Sequence, residues 1–213
     1  MWSELVLLFA GQGSKATFSS ASATTLLNRV AQHEIASLIL QRCHESFLQD
    51  LSTIDTSDRT ILTEENAKSL TTPQDLVKPS ATLAQNPVIQ AVTFYLHQIL
   101  EYVLYVQRER EREPHDTIFE AAGFCSGILP ALVVAVNTPI ESQQFLEYAV
   151  GTFRLAFWTS IRSASYSKSL AGATWGALPW SLVVAGLTKE ALETALISAQ
   201  SQVRSQSLLC MSI

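Results

Sequence analysis

The stretch that decides the fold is Thr117-Ile-Phe-Glu-Ala-Ala-Gly-Phe-Cys-Ser-Gly-Ile-Leu-Pro-Ala131, which runs from an apolar strand through a short turn into an apolar helix. Gly123 and Gly127 frame Cys125 in that turn, a G-x-nucleophile-x-G pattern. The flanking glycines allow a tight strand-to-helix turn that raises the central side chain above the sheet. The following helix directs its positive end at the sulfur and favours the reactive thiolate. The pattern therefore predicts Cys125 as a nucleophile.

Two backbone N–H groups are candidates for stabilising an oxyanion beside that sulfur. The N–H of Ser126 directly follows the nucleophile. The apolar run Leu5–Ala10 ends in a Gly-Gln-Gly turn, which is typical of a buried strand and can offer the N–H of Gln12. Alone, such a turn occurs in any α/β protein, and a lone cysteine in an apolar stretch is more often an inert core residue. Together the two motifs predict one site.

The remaining patterns predict an α/β fold, a parallel-rich sheet flanked by helices. A third strand is expected at 181–185, after the two at 5–10 and 117–122. Helices are expected over 22–50, from Pro87 to about residue 113, over 141–166 with a possible break near Gly151, and over 189–201, with loop and short helix over 51–84.

Composition excludes several classes of protein. Of the 213 residues, 47% are hydrophobic and 15% are charged, which supports a sizeable core. Fourteen basic against nineteen acidic residues leave no basic face, so we expect no nucleic-acid partner. The apolar run over 121–136 is too short and too interrupted to span a bilayer, so we expect no membrane segment.

The three cysteines, Cys43, Cys125 and Cys210, are too few and too scattered for a disulfide framework or a zinc site. A reducing, cytoplasmic setting is expected, and no metal or nucleotide site is visible.

The two motifs also carry a family resemblance. Leu8-Phe-Ala-Gly-Gln-Gly-Ser14, followed by Gly-x-Cys-x-Gly at 123–127, resembles the malonyl-transacylase-like acyltransferase superfamily. More narrowly, it resembles the starter-unit acyltransferase domain of fungal non-reducing polyketide synthases, in which cysteine replaces the usual serine. The stretches 123–131, 153–158 and 180–186 also look like this family, so the resemblance covers essentially the whole chain.

The resemblance implies a hydrolase-like large subdomain over residues 1–178 and an incomplete ferredoxin-like small subdomain over 179–213. It also implies a thioester transacylase. Cys125 would take an acyl group from acyl-CoA or from a fatty-acid-synthase-bound carrier, and Gln12 and Ser126 would stabilise the oxyanion. A phosphopantetheinyl acyl carrier protein of a polyketide synthase would then accept the acyl group. Acyl-CoA and the carrier are substrates, so no bound cofactor is expected.

The chain departs from the family pattern in its histidines. The family uses a histidine general base well after the nucleophile, whereas all four histidines here precede Cys125: His33, His44, His97 and His115. We therefore expect a chain truncated at its C-terminus.

The arginines of the chain bear on the starter group. Malonyl transferases pair an arginine with the malonyl carboxylate, and Arg154 and Arg162 match that position poorly. An uncharged acyl starter, such as acetyl or a medium-chain acyl group, is expected.

Two alternatives stay open. The chain could be a catalytically impaired remnant that acts as a binding or scaffold protein. It could also be a cysteine hydrolase, although that class needs an aspartate and then a histidine after the nucleophile, and no histidine follows Cys125.

Overall fold

The computed structural model describes residues 5–11, 19–55, 58–62, 68–112 and 119–171, together with Thr194. The chain divides into two compact units, Met1–Leu170 and Ala171–Ile213. Beyond Ala171 and Thr194, the second unit lies outside the described residues. The strand expected at 181–185, the helix expected at 189–201 and the small subdomain over 179–213 therefore stay predictions.

The described residues form two strands and six α-helices. In chain order these are β1 (Leu5–Phe9), α1 (Ser20–Val30), α2 (Glu34–Thr53), α3 (Pro73–Val77), α4 (Pro87–Arg112), β2 (Phe119–Gly123), α5 (Ile128–Ala135) and α6 (Gln143–Ala171). Single 3₁₀ turns lie at Asp58–Thr60, Leu83–Gln85 and Cys125–Gly127. No described helix is both long and apolar enough to cross a bilayer.

Strands β1 and β2 pair in parallel, in register from Leu5 opposite Phe119 to Phe9 opposite Gly123. The predicted strands and their parallel direction are confirmed. The described part of the chain is nevertheless mostly helical, and its sheet has two strands. The third expected strand falls outside the described residues.

Helix α4 occupies the centre of the first unit and contacts α1, α2, α3 and α5. Its start is set by Asn86, whose Oδ1 accepts hydrogen bonds from the N–H groups of Val88 and Ile89 at 2.9 and 3.3 Å. Pro87 then occupies the first helical position, where its missing N–H costs nothing. The apolar positions along the helix are buried, as their spacing predicted: Val88, Ile89, Val92, Leu96, Ile99, Leu100, Val103 and Leu104.

The helix predicted over 22–50 is two helices, so that prediction was wrong in its continuity. The chain leaves α1 at Val30 and begins α2 at Glu34, with His33 extended at φ −125°. The Ser37 hydroxyl donates to the Val30 carbonyl at 2.7 Å, which satisfies an acceptor at the end of α1. The break considered near Gly151 is absent, because α6 runs through that residue.

An aromatic row anchors the carboxyl end of β1 to the helices. The ring of Phe9 meets that of Tyr102 on α4 edge to face, with centroids 6.5 Å apart. Tyr102 in turn lies 6.1 Å from Phe145 on α6. Such contacts between buried rings fix their relative placement. The residues after Phe9 therefore leave the sheet from a well-anchored point.

Candidate active site

Cys125 lies at the sharp turn between β2 and α5, and it is exposed. Its φ angle is 54°, in the left-handed region that a residue with a side chain rarely adopts. The turn is closed by the Gly127 N–H, which donates to the Phe124 carbonyl at 2.9 Å. The Ile128 N–H donates back toward the carbonyls of this turn and starts α5. The backbone is therefore locally strained at the residue whose side chain it presents at the surface.

Both flanking glycines are required by close backbone contacts. A Cβ at Gly123 would overlap the backbone of Gly127 and lie 2.5 Å from the Ile128 Cα. A Cβ at Gly127 would overlap the Phe9 carbonyl and lie 2.5 Å from the Ala10 oxygen. Gly123 and Gly127, the two glycines of the sequence motif, therefore lie where the strand, the turn and the helix leave no room for a side chain.

The end of β1 packs directly against the cysteine turn. The Phe124 N–H donates to the Phe9 carbonyl at 3.0 Å. A Cβ placed on Gly11 would lie 2.9 Å from the Cys125 Cβ and 3.0 Å from the Phe124 oxygen. The structure therefore places Gly11, the first residue of the Gly-Gln-Gly motif, against the cysteine turn. Gln12 itself lies outside the described residues, and its role as an oxyanion donor stays a prediction.

Ser126 occupies the second position of the 3₁₀ turn and is partly buried. Its backbone belongs to the first turn after the nucleophile, at the positive end of α5. That position agrees with the predicted oxyanion donor, and the role of the Ser126 N–H stays a prediction.

Two of the histidines in the described part of the chain, His44 and His97, bind backbone carbonyls. The Nε2 atoms of the buried His44 and His97 lie 3.1 and 2.8 Å from the carbonyl oxygens of Leu70 and Val77. A ring nitrogen that donates to a carbonyl carries a proton, so neither Nε2 can act as a base. Burial lowers the pKa of His97.

His33 stands at the start of α2, partly buried. His115 lies outside the described residues.

Arg154 and Arg162, the two candidates for binding a carboxylate, are paired with acidic residues. Arg154 binds Asp50 with both Nε and Nη2, at 2.9 and 2.7 Å, and the Asp50 side chain is only 3% exposed. These hydrogen bonds and the charge of Asp50 raise the pKa of Arg154. Arg162 binds Asp58 at 2.8 Å. Both guanidinium groups therefore serve contacts within the protein.

Gln98 on α4 contacts the end of β1 beside the cysteine turn, and the sequence motifs did not predict it. Its Nε2 donates to the Ala10 carbonyl at 3.0 Å, at the junction between β1 and the Gly-Gln-Gly motif. No motif marks this residue. The only available signal is an uncharged polar side chain between buried positions of an otherwise apolar helix face.

Across the described ranges, no group of three or more His, Cys, Asp or Glu side chains is placed to hold a metal ion.

A parallel strand, a sharp turn with an exposed left-handed cysteine and a helix have the backbone geometry of a nucleophile elbow, while the role of Cys125 as nucleophile stays a prediction. Comparison with protein families shows to which family the chain belongs. The model of the family described as "Starter unit:ACP transacylase in aflatoxin biosynthesis" matches residues 7–212, and the chain belongs to that family. The resemblance predicted from the two motifs is confirmed.

Relatives among characterised proteins are fungal. The chain is 30% identical over 198 residues to "Orsellinic acid synthase" from Beauveria bassiana (strain ARSEF 2860), which covers 89% of this chain and 8% of that protein. It is 33% identical over 211 residues to "Orsellinic acid synthase ArmB" from Armillaria ostoyae, which covers 91% of this chain and 9% of that protein. The chain thus spans less than a tenth of the length of these relatives.

Proposed function

We propose that the chain is a starter-unit transacylase of polyketide biosynthesis that carries the acyl group as a thioester on Cys125. The observation that supports this most directly is the exposed cysteine at φ 54°, with the end of β1 packed against its Cβ. The family match supplies the class of reaction, the transfer of a starter unit to an acyl carrier protein.

The proposed reaction has two halves. In the first, the Cys125 thiolate attacks the carbonyl carbon of an acyl-CoA or acyl-carrier thioester, and the carbonyl oxygen becomes an oxyanion. The backbone N–H groups of Ser126 and Gln12 would bind that oxyanion. Collapse breaks the old carbon–sulfur bond, releases the donor thiol after it takes up a proton, and leaves an acyl-S-Cys125 thioester.

The second half repeats the chemistry in reverse. The phosphopantetheine thiolate of the acceptor carrier attacks the acyl-S-Cys125 carbonyl, and Cys125 leaves as a thiolate. One thioester replaces another, so the step has little net free-energy change. Because Cys125 is exposed, its proton can pass to solvent, and no histidine base is assigned within the described residues.

An uncharged, apolar starter fits the surroundings of the cysteine. Phe124 and Ile128 flank the turn and are 73% and 50% exposed. The two arginines considered for a carboxylate are occupied by Asp50 and Asp58. We therefore propose an acyl group without a terminal carboxylate, with the carrier protein of a polyketide synthase as acceptor.

The test is intact-mass spectrometry of the chain after incubation with acetyl-, hexanoyl- and malonyl-CoA. We expect an acyl adduct from the uncharged donors on the parent chain and none on Cys125→Ala. Cys43→Ala is the matched control, because Cys43 is buried in the core and should leave the adduct unchanged. Addition of a phosphopantetheinylated carrier protein should then remove the adduct from the chain.

The opposite outcomes are equally informative. An adduct on Cys125→Ala would place the reactive group elsewhere. No adduct on a folded parent chain would contradict the transacylase and favour the binding or scaffold role. A preference for malonyl-CoA would contradict the uncharged starter.

A further inference from the structure

The Gln98 side chain connects the central helix to the end of β1. Its Nε2 donates to the Ala10 carbonyl at 3.0 Å, across 88 positions of sequence. The preceding carbonyl, that of Phe9, accepts from the Phe124 N–H at 3.0 Å. Successive carbonyls at the end of β1 are therefore held by two different elements, the cysteine turn and α4.

The peptide between Ala10 and Gly11 has little freedom once that bond is made. Its carbonyl is bound by Gln98, and Gly127 packs so closely against the Ala10 oxygen that a Cβ would lie 2.5 Å away. Because a trans peptide is planar, the direction of the Ala10 carbonyl also sets the direction of the Gly11 N–H. The chain continues from this peptide to Gln12, whose N–H is the proposed second oxyanion donor.

Packing alone does not explain a glutamine at position 98. Its Oε1 is buried and has no hydrogen-bond partner in the structure. A buried acceptor without a partner costs stability, so an apolar side chain of the same length would suit the helix at least as well. The Gln98 amide uses only its donor half, and it uses it on the Ala10 carbonyl.

We propose that Gln98 is a positioning residue for the transacylase. Through the Ala10 carbonyl it holds the peptide between Ala10 and Gly11 beside the cysteine turn, directly before Gln12, the second donor of the proposed reaction. This inference rests on the proposed function and adds to it a residue outside both motifs.

The test compares two reactions at the same sulfur in Gln98→Met. Acylation by acyl-CoA develops an oxyanion, whereas alkylation by iodoacetamide displaces iodide at a saturated carbon and develops none. We expect the acylation rate to fall about tenfold or more, since loss of a complete oxyanion donor costs roughly a hundredfold or more. The rate of Cys125 alkylation should stay within about twofold of the parent, because the thiolate itself is untouched.

Gln90→Met is the matched control. Gln90 lies on the same helix and its Nε2 donates to the Ala84 carbonyl at 2.8 Å, so this change removes the same kind of bond away from the cysteine turn. Both rates should then match the parent. Unchanged acylation in Gln98→Met, or a parallel fall of both rates, would overturn the positioning role.

A second variant guards against a general folding defect. Gln98→Glu keeps the shape but lacks a donor when ionised, and it regains an O–H donor when protonated. Its acylation rate relative to the parent should rise as the pH is lowered from about 7 to about 5, toward the carboxyl's titration range. A ratio that stays flat would contradict the bond to Ala10 as the cause.

A third measurement does not depend on activity. Amide hydrogen exchange at Phe124, whose N–H is bound to Phe9 at the end of β1, should be faster in Gln98→Met and unchanged in Gln90→Met. If the parent chain forms no acyl adduct, the proposed function fails, and this measurement then decides whether Gln98 holds the end of β1. Equal exchange in all three proteins would overturn the positioning role.

Discussion

At the scale of single residues, the elbow depends on a contrast between glycines. Gly127 packs against the carbonyls of Phe9 and Ala10, where a Cβ has no space. Gly151, in the middle of α6, has nothing within 4 Å of the position its Cβ would take. The first glycine is imposed by tertiary contact. The second lies in a helix where glycine is the weaker choice.

We therefore expect opposite effects from the same substitution at these two positions. Gly127→Ala should lower the free energy of unfolding by about 2 kcal/mol, through the overlap with β1, and should reduce Cys125 acylation. Gly151→Ala should raise it by about 0.5–1 kcal/mol and leave acylation unchanged. Urea unfolding of both variants checks this, and a destabilised Gly151→Ala would contradict the open surroundings of that residue.

At the scale of elements, the short helix α3 is held by side chains from its neighbours. His44 on α2 binds the Leu70 carbonyl, and Thr93 and His97 on α4 bind the carbonyls of Leu76 and Val77. A five-residue helix has too few internal hydrogen bonds to persist alone. The bonds from α4 satisfy the carbonyls of Leu76 and Val77 at the end of α3, and the bond from His44 on α2 holds the segment that precedes it.

The hydrogen bond from His97 to the end of α3 is sensitive to acid. Burial lowers the pKa of His97, and the smaller opposing influences are its bond to Val77 and the charge of Glu101 on the same helix. The unfolded chain therefore binds a proton at higher pH than the folded one. The contribution of the neutral His97 side chain to the free energy of unfolding is full above about pH 6.5 and is lost as the pH falls below that value.

We expect the free energy of unfolding to fall between about pH 7 and about pH 5, and His97→Gln to flatten that fall. The glutamine Nε2 can still donate to the Val77 carbonyl but does not titrate. Denaturant unfolding at several pH values checks this. An equal slope in parent and variant would assign the acid sensitivity to other groups.

Helices α2 and α6 are joined by the ion pair between Asp50 and Arg154. Removal of the arginine leaves a buried carboxylate without its partner. Arg154→Met should therefore lower the free energy of unfolding by roughly 1–3 kcal/mol, at the lower end because the guanidinium itself is half exposed.

The Arg154 variant also tests the starter group. Asp50→Asn combined with Arg154→Met should recover part of the lost stability, since the uncompensated charge is gone. The ratio of acetyl to malonyl transfer should not change in either variant. A shift of that ratio, measured by intact mass, would show that Arg154 contacts the acyl group.

At the scale of the whole molecule, the site is assembled from motifs more than a hundred residues apart. Parallel pairing of β1 with β2 puts Ala10 and Gly11, where the first motif begins, at the same edge of the sheet as the cysteine turn, because the carboxyl ends of parallel strands lie at one edge. The aromatic row from Phe9 through Tyr102 to Phe145 then ties that edge to α4 and α6.

Two aromatic truncations separate stability from site geometry. Phe9→Ala and Phe153→Ala each remove a buried ring, and each should cost about 3–5 kcal/mol of unfolding free energy. Phe153 lies on α6 and packs on Tyr95 of α4. Acylation per folded molecule should fall about tenfold or more in Phe9→Ala only, because that change loosens the strand that ends beside Cys125. Equal activity in both variants would contradict the anchoring role of Phe9.

The cysteine elbow, its two glycines, the strand before it and the central helix α4 could all be predicted from the sequence. Each of these features is written in neighbouring residues, as a two-glycine turn or as an apolar period along a strand or helix. The family also followed from those residues, because the two motifs together are specific.

Only the tertiary structure decided the rest. The bond from Gln98 to Ala10, the pairing of Arg154 with Asp50 and the bonds of His44 and His97 to backbone carbonyls join residues far apart in the chain. The end of α1 at Val30 likewise depends on a side chain from the next helix. No periodic pattern encodes such contacts, because a hydrogen bond depends on where two elements meet in space, and the sequence states only what each element is locally.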